Sequence, residues 1–519
     1  MARVSRKPFL ALIPAVLLAG VLLPPPTLAQ GPARGGTLTV GVQSDLKTLD
    51  PHKSALTITY VSLSPIYQTL VDLGPNLELR PLLATSWRVG PDNLTWTFTL
   101  RRGVLFHNGR ELTSRDVRFS IERILNPKTG ARGRGDLNAI ESIATPDPYT
   151  VQFKLKSPFG VFPTKLATTY QAILPADAVD PVTNELRKPI GTGPFEFVEW
   201  KTDDHLALRR FDRYWEQGKP YLDAVVVKPI PDETVRLTAL QTGDVGLILD
   251  VPQARIQDLF AHPSPEYVIR LVRGGAGQGV VILNTRHKPF DNLKVRQAAA
   301  YALNKRELAE ALYRGWGHPV NQNFAPSSPW YLKVKDRPMD LARSKQLLSE
   351  AGMPGGFKTT ATVGNGYGLP AVAQVYQAEL RRVGIDVTLQ VFDIPTWAKR
   401  IDSGDFDMEN TGFFAKVDPD DGYYRYLHSN GGVWQLSGFL SHAELDRLLD
   451  EGRAESDVEK RKAIYTRVVE IVQDQASMVI FGSGDTAVGW RATVHGFVPQ
   501  TIGALSYPGG GVQETWLSK

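Results

Sequence analysis

The chain has 519 residues, 59 Lys and Arg against 54 Asp and Glu, and no cysteine. Disulfides and thiolate metal sites are thereby excluded, and the length is enough for large cores built without covalent staples. Removing the three cations of the first 29 residues takes the formal charge from +5 to +2 (5 − 3), and no later basic run reaches five residues, so a nucleic-acid partner has no support.

At the N-terminus, Arg3, Arg6 and Lys7 precede an apolar run over 9–23 and the small-residue site Thr27-Leu28-Ala29. This layout predicts a secretory signal peptide over 1–29. Pro14 interrupts the run, which is also shorter than the ~20 apolar residues of a membrane span. With no cysteine to carry a lipid, the expectation is a mature chain of 490 residues (519 − 29) free in the periplasm.

Beyond the leader, short β-branched and aromatic runs bounded by turn residues predict strands at 36–42, 94–100, 149–155, 206–211 and 223–230. Between them, Thr113-Ser-Arg-Asp116 has the form of a capping box and predicts a helix reaching Leu125. The glycine-rich 273–279 (RGGAGQG) marks a composition shift, read here as the edge between a first lobe and a second. A strand over 280–284 and a helix over 293–303 follow it. In 370–383, Val372, Val375, Tyr376, Leu380 and Val383 share one helical face, and Gly384 supplies the stop. The run 478–490 reads as a strand pair broken by a turn. Strands and helices mixed at this spacing predict α/β lobes. A chain that leaves one lobe near 280 and returns near 484 would join two lobes by two crossing segments.

Catalytic motifs are weak or missing. Ser44 and Lys47 have SxxK spacing and 128–130 spells KTG, but Pro51 follows where SxxK would open a helix, and no SxN element lies between them. There is no HExxH and no GxSxG, and the histidines lack metal-ligand spacing. Arg134-Gly-Asp136 is a three-letter coincidence. The stretch 412–427 (GFFAKVDPDDGYYRYL) fails as a calcium loop, because its glycine falls at position five and Ser429 stands where the bidentate Glu belongs. The expectation is a protein that is not an enzyme and needs no cofactor or metal.

The blocks 81–124, 49–52, 191–200, 283–308 and 340–352, with the DPDD region, keep the order and spacing of a known pattern. The chain resembles the extracellular solute-binding proteins of family 5, which include the oligopeptide- and dipeptide-binding receptors of ABC importers. The resemblance implies an α/β, two-lobed periplasmic-binding-protein clamp (type II, cluster C). An extra α/β domain is inserted in the first lobe, and the hinge has two segments. Lobe I would comprise 30–65, 190–278 and 485–519, the inserted domain 66–189, and lobe II 279–484. The implied function is capture of a small solute between the lobes by a monomer, for delivery to an inner-membrane permease. A secreted hydrolase on the same scaffold is the alternative from another class.

The resemblance also implies site residues. Aligning on the glycine and aromatic puts Phe413 and Phe414 in the pocket wall, and Lys416 where peptide-binding members carry an aspartate for the peptide's α-amine. An ammonium there repels an amine and attracts carboxylate, phosphate or hydroxyl oxygens; the alternative is a Lys416 that points to solvent. Asp418 is a second candidate for the amine anchor. Trp397 is either pocket-facing or core. Trp434 and Gln435 match the family pattern loosely. Asp45 and Leu46 stand at the N-terminal edge, where Asp45 is either an amine partner or a turn-forming surface residue. The implied ligand lacks a free α-amine and is a sugar or glycoside, an acidic compound or a blocked peptide. A di- or oligopeptide is the alternative.

Overall fold

The computed structural model describes residues 31–518 apart from Ala55, Phe414 and Ala415. The expected signal peptide and Phe414 therefore lie outside the described residues. Among the described residues no helix is long and apolar enough to cross a membrane.

One sheet of eleven strands organises the chain. In its first half the strand Thr37–Val42 pairs in parallel with Ala224–Pro229 on one side and Leu247–Ile248 on the other. The antiparallel strands His205–Arg210 and Phe195–Lys201 continue it outward. In its second half Phe357–Gly364 lies parallel to both Ile385–Phe392 and Met408–Phe413. Two long strands join the halves, Tyr267–Leu283 and Met478–Arg491, antiparallel to one another over most of their length.

These long strands depart from the sequence reading. The glycine run does not end an element; it lies inside one 17-residue strand, and the register slips between Val272 and Gly277 and again between Gly279 and Val280. Likewise 478–490 contains no turn. Gly482 and Gly484 lie within the strand under side chains of another element: a Cβ on Gly484 would sit 2.2 Å from Tyr313, and one on Gly482 2.8 Å from Ala309. Missing side chains here mark close packing within a strand rather than a loop.

A second sheet of four antiparallel strands runs in the order Ala84–Val89, Thr95–Leu100, Thr150–Leu155, Ile140–Asp147. Alternation sends Trp96, Phe98 and Leu100 inward, where Phe98 meets Phe153 edge-on at 5.6 Å and Phe153 meets Phe162 at 5.2 Å. The helix Ser114–Leu125 buries Val117, Ile121 and Ile124 against this core. It starts where Thr113 was expected to cap it: the Thr113 backbone N–H donates to the Asp116 carboxylate at 2.9 Å.

Separate hydrophobic cores follow this division. One gathers Leu38, Val40, Leu206, Val225, Val488 and Val512. Another belongs to the four-stranded sheet. The second half of the large sheet is packed on both faces, with Val281, Tyr376 and Ile385 on one side and Ile282, Tyr423 and Tyr465 on the other.

Candidate functional site

The strands Thr37–Val42 and Leu247–Ile248 run parallel and end side by side. In open α/β sheets the crevice beyond the carboxyl ends of such strands is where ligands sit. A cleft of about 560 Å³ opens there. Its floor is made by the crossing strands, through Val272, Gly275, Thr486 and Val488. Gln43, Tyr60, Arg236, Asp250 and Gln500 form the wall of the first half, and Tyr170 reaches in from the segment after the four-stranded sheet. Lys416 comes from the second half, beyond the end of Met408–Phe413.

The polar groups of the first wall are held by their neighbours. Arg236 is buried, donating from Nη1 to the Ile230 carbonyl at 2.6 Å and from Nη2 to Asp250 Oδ2 at 3.1 Å. Burial lifts the Asp250 carboxyl above its ordinary value, against the opposing pull of Arg236. The Tyr60 hydroxyl donates to Gln500 Oε1 at 3.2 Å, and Gln500 Nε2 donates to the Leu73 carbonyl at 2.7 Å. Burial also pushes the Tyr60 phenol well up, so it stays a neutral donor. The second wall differs. The Lys416 Nζ sits 5.1 Å from the centre of the Tyr426 ring, and no carboxylate among the described residues pairs with it.

The aspartates of 412–427 do other work. Asp418, expected as an alternative amine anchor, is buried and chelates Arg461: Nη2 donates to Oδ1 at 2.6 Å and Nη1 to Oδ2 at 2.9 Å. Both of its oxygens are thereby engaged, so it offers none to a ligand. Asp420 receives Lys165 Nζ at 2.9 Å and Arg453 Nε at 2.6 Å, while Asp421 takes Lys165 at 2.5 Å. Burial alone would raise the Asp420 carboxyl, yet Lys165 and Arg453 hold it below the ordinary value. The loop after the four-stranded sheet is pinned here too, with the Gly160 N–H donating to the Arg453 carbonyl at 2.9 Å.

The remaining sequence candidates scatter. Asp45 braces the strand pair Phe195–Lys201 and His205–Arg210, accepting from Trp200 Nε1 at 3.1 Å and the Asp203 N–H at 2.8 Å. Leu46 is buried in the first core. Phe413 is buried and packs against Tyr426, with ring centres 4.4 Å apart and planes tilted by 35°. Trp397 wedges between the two cores of the second half. Trp434 donates to the Leu440 carbonyl at 2.8 Å, and Gln435 to Asp402 at 3.1 Å. Of the described candidates only Lys416 lines the cleft. The residues that accompany it there come from distant parts of the chain, and no local pattern marks them.

The family model described as "Bacterial extracellular solute-binding proteins, family 5 Middle" matches residues 78–434. A glutathione-binding protein, GsiB of Salmonella choleraesuis (strain SC-B67), is 28% identical over 452 residues, covering 85% of this chain and 88% of the relative. Among solved structures, the periplasmic binding protein DppA of Helicobacter pylori, in complex with the peptide STSA, superposes with a TM-score of 0.74. It is 30% identical and covers 94% of this chain and 99% of that one. AgaA of A. tumefaciens R10, in complex with agropinic acid, gives a TM-score of 0.72 at 30% identity, covering 93% and 99% of the two chains.

Proposed function

Because the chain belongs to the bacterial extracellular solute-binding proteins of family 5, we propose that it captures a small solute in the periplasm and presents it to an ABC permease, without chemical turnover. The names of its relatives support this reading, since one binds glutathione, one is an ABC-transporter-associated binding protein holding a peptide, and one holds agropinic acid. The lobes we assign are 30–65, 190–278 and 485–519 for the first, 66–189 for the insertion and 279–484 for the second. The separate cores support that division, with Leu38, Val40 and Val225 in the first lobe's and Trp96, Phe98 and Phe153 in the insertion's. The irregular register around 272–280 is the flexing segment. A ligand that touches both halves only when they approach shifts the population toward the closed form.

The observation that carries the ligand assignment is Lys416, a cation without a described ionic partner on the cleft wall. It favours an oxygen function at that end of the solute: a sugar or glycoside, an acid, or a blocked peptide. A thermal-shift panel of glycosides, organic acids and free dipeptides tests it. A ligand at 100 times its dissociation constant adds about 2.7 kcal/mol. Shifts from glycosides or acids that vanish in Lys416→Met are expected; shifts from free dipeptides alone, unchanged in that variant, would sink the assignment. A peptide receptor is the second reading, favoured by the peptide held in DppA.

A further inference from the structure

Behind Lys416 lies a smaller pocket of about 20 Å³, lined by Gln278, Asn323, Arg273, Phe324, Lys416 and Thr501. That volume suits one water-sized group. Two amide side chains face it, and both are almost fully buried, Gln278 at 2% and Asn323 at 1% exposure. Neither Gln278 Oε1 nor Asn323 Oδ1 has a hydrogen-bond partner among the described residues.

Their other ends are tied down. Asn323 Nδ2 donates to the Gly422 carbonyl, and the Asn323 backbone N–H donates to the Tyr423 hydroxyl at 3.2 Å. Gln278 sits on the crossing strand, opposite Phe413 on one side and Ser483 on the other, with Nε2 3.4 Å from Ser483 Oγ. The amide oxygens are thus the unpartnered ends of two residues that line the pocket. The loop that carries Lys416 folds against the same place: a Cβ on Gly422 would meet Phe324 at 3.0 Å and Lys416 at 3.7 Å. Arg273 is already engaged, donating to Asp485 at 2.7 Å.

We infer that this pocket is a specificity subsite for an uncharged group of the ligand that both donates and accepts hydrogen bonds, a hydroxyl or a primary amide. The two N–H hydrogens of an amide go to the two amide oxygens, or the single hydrogen of a hydroxyl goes to one of them, and the group's oxygen accepts from Lys416. A carboxylate would satisfy Lys416 but press its charge against two carbonyl dipoles that need donors. An ammonium would satisfy the carbonyls but meet the Lys416 cation. A buried acceptor left without a donor keeps its full desolvation penalty, so the two oxygens discriminate against groups that cannot donate to them. Within the classes proposed above, this selects a polyol or an amide-ended solute over one that inserts an acid.

The inference rests on Lys416 as a ligand residue, and the test separates the two. Crystals of the mature chain are soaked separately in acetamide, glycerol and sodium acetate. Acetamide or glycerol should place its polar group in the pocket, within hydrogen-bond reach of Gln278, Asn323 and Lys416, and that density should be lost in Asn323→Leu. Gln278→Met provides the same loss if Asn323→Leu does not fold. Acetate in the pocket instead would overturn the subsite while leaving the Lys416 assignment standing. A pocket that holds only water in all three soaks would also overturn it. Failure of Lys416 itself would appear in the thermal-shift panel, as melts that Lys416→Met leaves unchanged.

Discussion

Asp418→Asn separates a structural from a ligand-binding role for the acidic loop. The side chains of Asp418 and Arg461 are 1% and 4% exposed, and two charge-assisted hydrogen bonds join them. Arg461 is held further by the Gly452 carbonyl, which accepts from its Nε at 2.9 Å, and by Trp330 beneath its guanidinium at 4.6 Å. Neutralising Asp418 thus leaves the guanidinium in place, buried and without its counter-charge. Breaking a buried pair in this way costs about 3–5 kcal/mol. An asparagine still accepts one hydrogen bond from Arg461, which points to the lower end of that range. Urea unfolding followed by tryptophan fluorescence reads the loss as a lower midpoint at an unchanged slope. The double variant Asp418→Leu/Arg461→Met should recover much of the stability, because no uncompensated charge then remains. If Asp418→Asn keeps its midpoint but loses ligand, the aspartate is a ligand anchor and the structural reasoning is refuted.

Three further outcomes are expected. Lys165 and Arg453 hold the Asp420 carboxyl below its usual 3.8, so its stabilising contribution is complete above that value and disappears as pH falls through the lower folded value; urea midpoints at pH 7 and pH 3 should fall further apart in the wild type than in Asp420→Asn, and equal falls would contradict this. Glu409 is fully buried with neither oxygen partnered among the described residues, and burial raises its carboxyl from 4.5 to about 8. The folded state therefore holds a proton that the unfolded state releases, and stability declines by a few kcal/mol, roughly 1.4 per pH unit, as pH rises from about 5 to 8 before levelling off; Glu409→Gln should flatten that decline, and a variant that follows the wild-type curve would show the acid to be ionised. In Gly160→Ala the new Cβ would lie 1.8 Å from the Glu455 carbonyl oxygen, a backbone atom that cannot rotate away. A loss of about 1–3 kcal/mol or more is expected by thermal denaturation, and an unchanged midpoint would mean that the two segments do not pack together.

Much of the fold is legible in the residues because local chemistry speaks for it. Alternation in 94–100 and 149–155 marks half-buried strands, and the structure has Thr95–Leu100 and Thr150–Leu155. Thr113 and Asp116 mark the start of a helix, and Ser114 begins it. The glycines misled where their reason was not local. Gly482 and Gly484 look like a turn, but they are small because Ala309 and Tyr313 cover them from another element. The site was less legible still, since Tyr60, Arg236, Asp250, Lys416 and Gln500 meet only when the strand ends converge.

The sequence by itself determined the family and much of the strand and helix pattern. Only the tertiary structure decided which charges of 412–427 remain available. Asp418, Asp420 and Lys416 are alike in sequence as unpaired ionisable groups, but Arg461, Lys165 and Arg453 lie far along the chain. Folding brings those cations onto the aspartates and leaves Lys416 at the cleft without an ionic partner among the described residues. A buried charge must find an opposite charge, and which partner it finds is set by long-range packing, which no local run of residues encodes.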